Sequence, residues 1–315
     1  MITWGATIMR FAFYVAAAFI LSLTLCPRSF AGEKIALLIS SDEGPYKETV
    51  AGFTEYLSKQ SVQPTYELFI LEGSPAKAAA AVQKIKINGC NLIFSLGSLA
   101  TDVAVKEFTT IPIVAGLVVR TDAHRKAANL IEVGLEFPTD IQFTWIKNIL
   151  PEARTIGVVF NPDENKKKID AAIRIAQKMG LKLETQEVHT AQDVPEALER
   201  LARKADVLWG AMDSIVMAPQ QAKPVLLFSF RNSIPLMAPS LMWVKAGALF
   251  SLDCDYKDLG AQCGELALKA LKGVAPVALP RDAPRRVLYS LNLITAQQMK
   301  IVIPEALIRG ARQTY

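Results

Sequence analysis

Several polar residues stand directly after apolar runs, where a side chain can meet a ligand. Ser40 and Ser41 follow Lys34–Ile39, and Gly97-Ser98 follows Asn91–Leu96 at a predicted helix start. Exposed N–H groups there, with the Ser98 hydroxyl, form an acceptor site for a carboxylate. The same serine would serve as an ordinary N-cap worth about 1 kcal/mol. Asp213 lies beyond the run ending at Trp209. Its carboxylate would accept from an ammonium group, or cap the helix after Ser214. Asn161, Ser240, Glu136 and Asp253 stand at other strand ends or crossings, and Tyr46, Phe137, Phe160 and Trp209 offer aromatic walls. The candidate ligand-binding set is Ser41, Gly97, Ser98, Phe160, Asn161, Asp213, Ser240 and Asp253. Asp255-Tyr256-Lys257-Asp258 reads instead as a capping-box variant.

This chemistry is that of binding, and the patterns of catalysis are missing. The chain has no G-x-S-x-G, no G-x-x-x-x-G-K-[ST] and no G-x-G-x-x-G after its first strand. His124 falls in a polar loop and His189 after a strand, neither beside a nucleophile motif. Two histidines and four cysteines without C-x-x-C spacing give no metal site of the usual pattern, and no cofactor is expected. A formal charge of +5 over 315 residues provides no basic stripe for nucleic acid, and Lys166-Lys167-Lys168 reads as a solvated helix face.

The elements that must position these residues alternate. Strands are predicted at Lys34–Ile39, Tyr66–Leu71, Asn91–Leu96, Ile111–Val119 and Leu130–Leu135, separated by helical segments such as Tyr46–Lys59, Ala76–Ile87 and Leu99–Phe108. A second series follows, with strands at Thr155–Phe160, Leu181–Val188, Ala205–Trp209 and Ile234–Ala238. Helices are predicted at Asn165–Met179, Val194–Arg203 and Ala218–Phe230. Such alternation means parallel βαβ units. The tail supplies single elements, a strand at Ala248–Leu252, a helix at Tyr256–Leu271 and a strand at Arg286–Ser290, best used as additions to lobes already made. The expected fold is α/β, two Rossmann-like lobes with parallel sheets joined by a multi-crossing hinge. The first lobe takes residues 32–135 plus 250–285, the second 136–249 plus 286–315.

Residues 1–31 carry the three-part layout of a secretory signal. Arg10 precedes the uncharged run Phe11–Cys26, and Ser29-Phe30-Ala31 places small residues before a cut that would leave Gly32 first. Sixteen uncharged residues fall short of the roughly 20 that a spanning helix requires. Lipidation at Cys26 is disfavoured by the large Leu25 before it. Cleavage removes Arg10 and Arg28 and no acid, leaving a nearly neutral chain with Cys90, Cys254 and Cys263, which are expected as free thiols.

An ordered set of motifs spans the mature chain. It runs through Ile93-Phe94-Ser95-Leu96-Gly97-Ser98-Leu99-Ala100, Ile111-Pro112-Ile113-Val114, Leu150-Pro151 and Thr155 to Pro162. It continues with Ala205-Asp206-Val207-Leu208, Asp213, Gly247-Ala248-Leu249, Asp255-Tyr256, Leu259-Gly260, Gly273, Pro276, Leu291-Asn292, Ala296 and Ile303-Pro304. In these the sequence resembles the substrate-binding proteins of ABC transporters with a type I periplasmic-binding fold, whose characterised members bind aromatic amino acids. Two departures stand out. Ala115 to Val119 lacks the family's usual aromatic and Asp-Pro, and Gly134-Leu135-Glu136 replaces its Gly-x-Ser. The resemblance implies a periplasmic, monomeric, non-enzymatic protein that captures a small zwitterionic solute such as an amino acid and presents it to an ABC permease in the inner membrane. The alternatives are an exported ligand-sensing protein serving a membrane receptor and, further off, an α/β enzyme.

Overall fold

The computed structural model describes residues 32–119 and 122–315; the leader expected over residues 1–31 lies outside them. The first sheet holds β1 (Lys34–Ile39), β2 (Thr65–Ile70), β3 (Leu92–Leu96), β4 (Ile113–Val118) and β5 (Leu130–Gly134). They are parallel in the order β2-β1-β3-β4-β5, with returns through α1 (Gly44–Lys59), α2 (Pro75–Asn88), α3 (Ser98–Glu107) and α4 (Asp122–Lys126). β3, β4 and β5 are buried throughout, which is why they read as unbroken apolar runs. Edge strand β2, covered on fewer sides, mixes polar and apolar residues.

The chain then enters the second lobe through α5 (Thr139–Ile149). Its sheet contains β6 (Thr155–Phe160), β7 (Lys182–Glu187), β8 (Val207–Trp209), β9 (Leu236–Ala238), β10 (Phe250–Cys254), β11 (Val287–Leu291) and β12 (Gln313–Thr314). The order is β12-β11-β10-β9-β8-β6-β7, parallel from β7 to β10, with β11 antiparallel to β10. Helices α6 (Pro162–Lys178), α7 (Val194–Glu199), α8 (Ala222–Asn232) and α9 (Leu241–Ala246) cover it. Each sheet has apolar clusters on both faces, so each lobe has its own core.

Three segments join the lobes: 135–138, 255, and the stretch after α10 (Tyr256–Leu271) that returns to β11. The boundary expected at residue 250 is corrected here. Phe250 is buried in the second core and β10 pairs with β9 and β11, so the chain crosses only after Cys254. The strand sits two residues later than the apolar run Ala248–Leu252, because Ala248 and Leu249 are buried just ahead of it. Helix α7 stops at Glu199 rather than Arg203, with turns taking up the remainder. Two short helices, α11 (Leu293–Gln298) and α12 (Glu305–Gly310), finish the chain.

Helix α10 belongs to the first lobe because it lies on α1, backbone to backbone. A Cβ at Gly260 would fall 2.0 Å from the Thr49 carbonyl oxygen, and one at Gly52 would fall 1.9 Å from that of Lys257. Side chains are absent at the contact, so the helices meet at their main chains. Beyond the crossings, no element of one lobe packs extensively on the other among the described residues.

Candidate functional site

Each sheet reverses its order once, between β1 and β3 in the first and between β6 and β8 in the second. Ligands of open parallel sheets gather at such points, beyond the carboxyl ends of the strands. The first point brings together Ser40, Ser41, Gly97 and Ser98; the second brings together Asn161 and the segment Gly210–Asp213.

At the first point the N-cap of α3 is Gly97, not Ser98, and its φ of 85° is in the left-handed region. A Cβ there would lie 2.6 Å from Ser40 Oγ and 2.8 Å from the Tyr46 hydroxyl, so glycine lets the three groups converge. The capping comes from Ser40. Its hydroxyl accepts from the Ala100 N–H at 3.0 Å and donates to the Leu96 carbonyl at 2.9 Å. Thr101 N–H bonds to the Gly97 carbonyl. The N–H groups of Ser98 and Leu99 and the half-exposed Ser98 hydroxyl have no partner among the described residues, and a carboxylate fits there. Half-buried Ser41 stands beside them, and the Tyr46 hydroxyl is held above its ordinary pKa by burial and by the Glu43 charge.

The second point is organised by Asp213, which is 7% exposed. Oδ2 accepts from the Asn161 N–H at 2.7 Å and Asn165 Nδ2 at 2.9 Å. Oδ1 accepts from the N–H groups of Ile215 and Val216, each at 2.9 Å. Its acceptor positions are therefore taken by its own lobe, and it caps a turn over residues 214–217 rather than a helix. Asn161 is the N-cap of α6, accepting from the Asp163 N–H. Ser240 precedes α9, exposed and with no side-chain cap bond.

Four other sequence candidates are placed elsewhere. Asp253 sits at the hinge, where Oδ1 accepts from the Tyr256 hydroxyl at 2.8 Å and Oδ2 from Arg312 Nη1 at 2.9 Å. Phe160 is 1% exposed and packs in the second core, because its ring falls on the sheet face rather than beyond the strand end. Trp209 is buried there too, its Nε1 donating to Gln142 Oε1, and Phe137 is buried in the first core. His124, expected in a polar loop, lies in α4, fully buried and bonded to Asp102. Lys168, expected on a solvated face, pairs with Glu136 and lies over the Trp209 ring. Asp255 caps α10, accepting from the Asp258 N–H, but the Asp258 carboxylate bonds Arg285 and does not close the box.

Apolar residues missed by the sequence reading complete the strand-end surface. Val119 (39% exposed), Met212 (36%) and Met242 (69%) lie just beyond β4, β8 and β9, whereas Leu99 (39%) lines a groove between α2 and α3 with Ala78, Val82 and Val103. A bulge at Leu117, with φ 56°, ends β4 just before Val119. Lone exposed apolar residues carry no pattern signal, so only their place after a strand could have marked them.

Residues 34–315 match the family profile described as ABC transporter substrate binding protein. The chain belongs to this family. Among curated relatives of this ABC transporter substrate-binding protein, it is 28% identical over 173 residues to a tyrosine-binding protein of Clostridioides difficile, a match covering 54% of the chain and 49% of that protein. The chain thus aligns with about half the length of that relative. It is 20% identical over 281 residues to an uncharacterized protein of Rickettsia prowazekii, covering 87% and 88% of the two chains. Solved structures share the fold. The ligand-free, open structure of a substrate-binding protein with adhesive properties from Clostridium difficile matches with TM-score 0.73 and 22% identity, covering 89% of this chain and 98% of that one. A Streptococcus ABC domain in complex with L-Trp matches with TM-score 0.61 and 21% identity, covering 90% and 100%. Among the described residues no helix is long and apolar enough to cross a membrane.

Proposed function

We propose that this protein is the extracytoplasmic receptor of an ABC importer and closes its two lobes on a small zwitterionic solute with a bulky apolar side chain. The observation that carries this reading is the start of α3, where Ser40 takes over the capping and frees two N–H groups and the Ser98 hydroxyl for a carboxylate. The second lobe offers the Ser240 hydroxyl and the field of Asp213. That carboxylate is bonded by N–H dipoles and by no cation, so its charge draws an ammonium group toward the wall it supports. Val119, Met212 and Met242 would be covered on closure, which suits an apolar side chain and not a polyhydroxylated sugar. The L-Trp and tyrosine named for two similar proteins are solutes of this class. The permease partner, the periplasmic location and the monomeric state belong to this proposal.

Calorimetry with L-tyrosine, L-tryptophan and ribose, together with mass spectrometry of ligand released by denaturation, tests it. Binding of an amino acid and not of the sugar is expected. A released ligand without a carboxylate would overturn the proposed site, and Ser98→Ala should weaken binding only a few-fold, since the backbone N–H groups remain.

A further inference from the structure

The first crossing is restrained by backbone bonds on both sides of Glu136. Leu135 is tied to the first lobe, its N–H donating to the Val118 carbonyl at 2.9 Å, and Gly134 N–H bonds to the Asp282 carbonyl at 3.0 Å. The Phe137 ring is buried in the first core, yet its carbonyl accepts from Gln142 Nε2 of the second lobe at 2.7 Å. Pro138 fixes its own φ and confines Phe137 before it to extended conformations. Rotation between the lobes along this strand therefore falls mainly on the backbone of Leu135 and Glu136.

Glu136 is the residue that the second lobe grips. Its carboxylate pairs with Lys168 of α6, and the two side chains are 35% and 22% exposed. The Lys168 ammonium lies 5.4 Å from the centroid of the Trp209 ring. Trp209 is itself fixed by its 2.7 Å bond to Gln142 Oε1 and its edge contact with Phe143 at 5.1 Å. Trp209 ends β8, and the next four residues lead to Asp213 at the proposed solute wall. One lysine thus joins the pivot of the hinge to the base of that wall.

We propose that Lys168 is a positioning residue that latches the hinge through Glu136 and holds the ligand-free protein open. The pair is formed in an arrangement where the strand-end loops of the two lobes share no hydrogen bond or ion pair among the described residues, and on this reading that arrangement is the open one. Releasing Glu136 frees the one poorly restrained part of the crossing, and the lobes then sample closed arrangements without solute.

The test needs no ligand, so its failure leaves the binding reading standing. Spin labels attached to non-natural residues at the exposed rim positions 42 and 163, one per lobe, report the inter-lobe distance by pulsed paramagnetic resonance. The parent should give one dominant long distance. Lys168→Met, which keeps an apolar stem over Trp209, and Glu136→Gln should each add a shorter one. The closed-to-open ratio should change about fivefold, as expected for one half-exposed ion pair. The double variant Glu136→Lys, Lys168→Glu should return toward the parent distribution, and high salt should move the parent toward the single variants. Single variants that stay folded and keep the parent distribution would overturn the latch. So would a charge-swapped pair that behaves like the singles, because lost packing and not the charge pair would then explain the change.

Discussion

Replacing Asp213 separates a carboxylate that touches solute from one that builds the wall behind it. Asp213→Ala leaves the N–H groups of Asn161 and Val216, both in buried residues, without their acceptor. An orphaned buried donor costs about 1–3 kcal/mol. Ile215 is half-exposed, and Asn165 keeps a 3.1 Å bond to the Met212 carbonyl, so these two lose less. Removing a desolvated charge returns part of the cost. The net destabilisation should be about 3–4 kcal/mol, or about a 10 °C fall in melting temperature for a chain of this size. Asp213→Asn should also destabilise, since an amide NH2 would face two donors on one side. Thermal unfolding of the ligand-free protein measures both. The reasoning fails if Asp213→Ala melts at or above the parent while solute affinity falls by about 10- to 150-fold, the size of one lost charge-assisted bond. That pattern would mean a carboxylate spent on ligand and not on its own lobe.

Gly260→Ala should cost about 3 kcal/mol in thermal unfolding, because its Cβ would meet the Thr49 carbonyl at 2.0 Å and the Phe53 nitrogen at 2.8 Å, forcing α10 off α1. Ser40→Ala removes the acceptor for Ala100 N–H and should lower stability by about 1 kcal/mol in denaturant titration; no change in midpoint would mean that water replaces it. Burial and the Asp253 charge push the Cys254 thiol up to about 12, and burial drives Cys263 up as well, so neither supplies thiolate at about pH 8. A thiol reagent should then modify half-buried Cys90 first, reaching the other two only on unfolding.

The lobes were legible because a strand covered on both faces announces itself: Leu92–Leu96 and Ile113–Val118 are continuous apolar runs bounded by helices, and few folds accommodate that pattern. What failed at β10 was ownership. A single strand after a complete series carries no mark of the sheet it joins, and its pairing with β9 and β11 and the burial of Phe250 in the second core settle it. Ser98 shows a different limit. A serine at a helix start reads as a cap, and the residue that does the capping, Ser40, lies 60 positions earlier. No local spacing rule reaches that far.

The treatment of charge across the cleft follows from the same geometry. Strand-end carboxylates were natural candidates for an ammonium group, yet each named one is engaged: Asp213 by four N–H groups, Asp253 by Tyr256 and Arg312, Glu136 by Lys168. An acid beside a strand end is close to orphan N–H groups of the following turn, and leaving it unpaired there costs more than bonding it. A second lobe that presents a fixed negative field and neutral hydroxyls loses little when the solute leaves, because no unpaired charge is stranded in the open form. In the proposed site the first lobe holds the complementary half, N–H groups that water can solvate until a carboxylate arrives. On the proposed reading affinity depends on bringing the two halves together, so the Glu136–Lys168 pair would act on binding from the crossing without touching the solute.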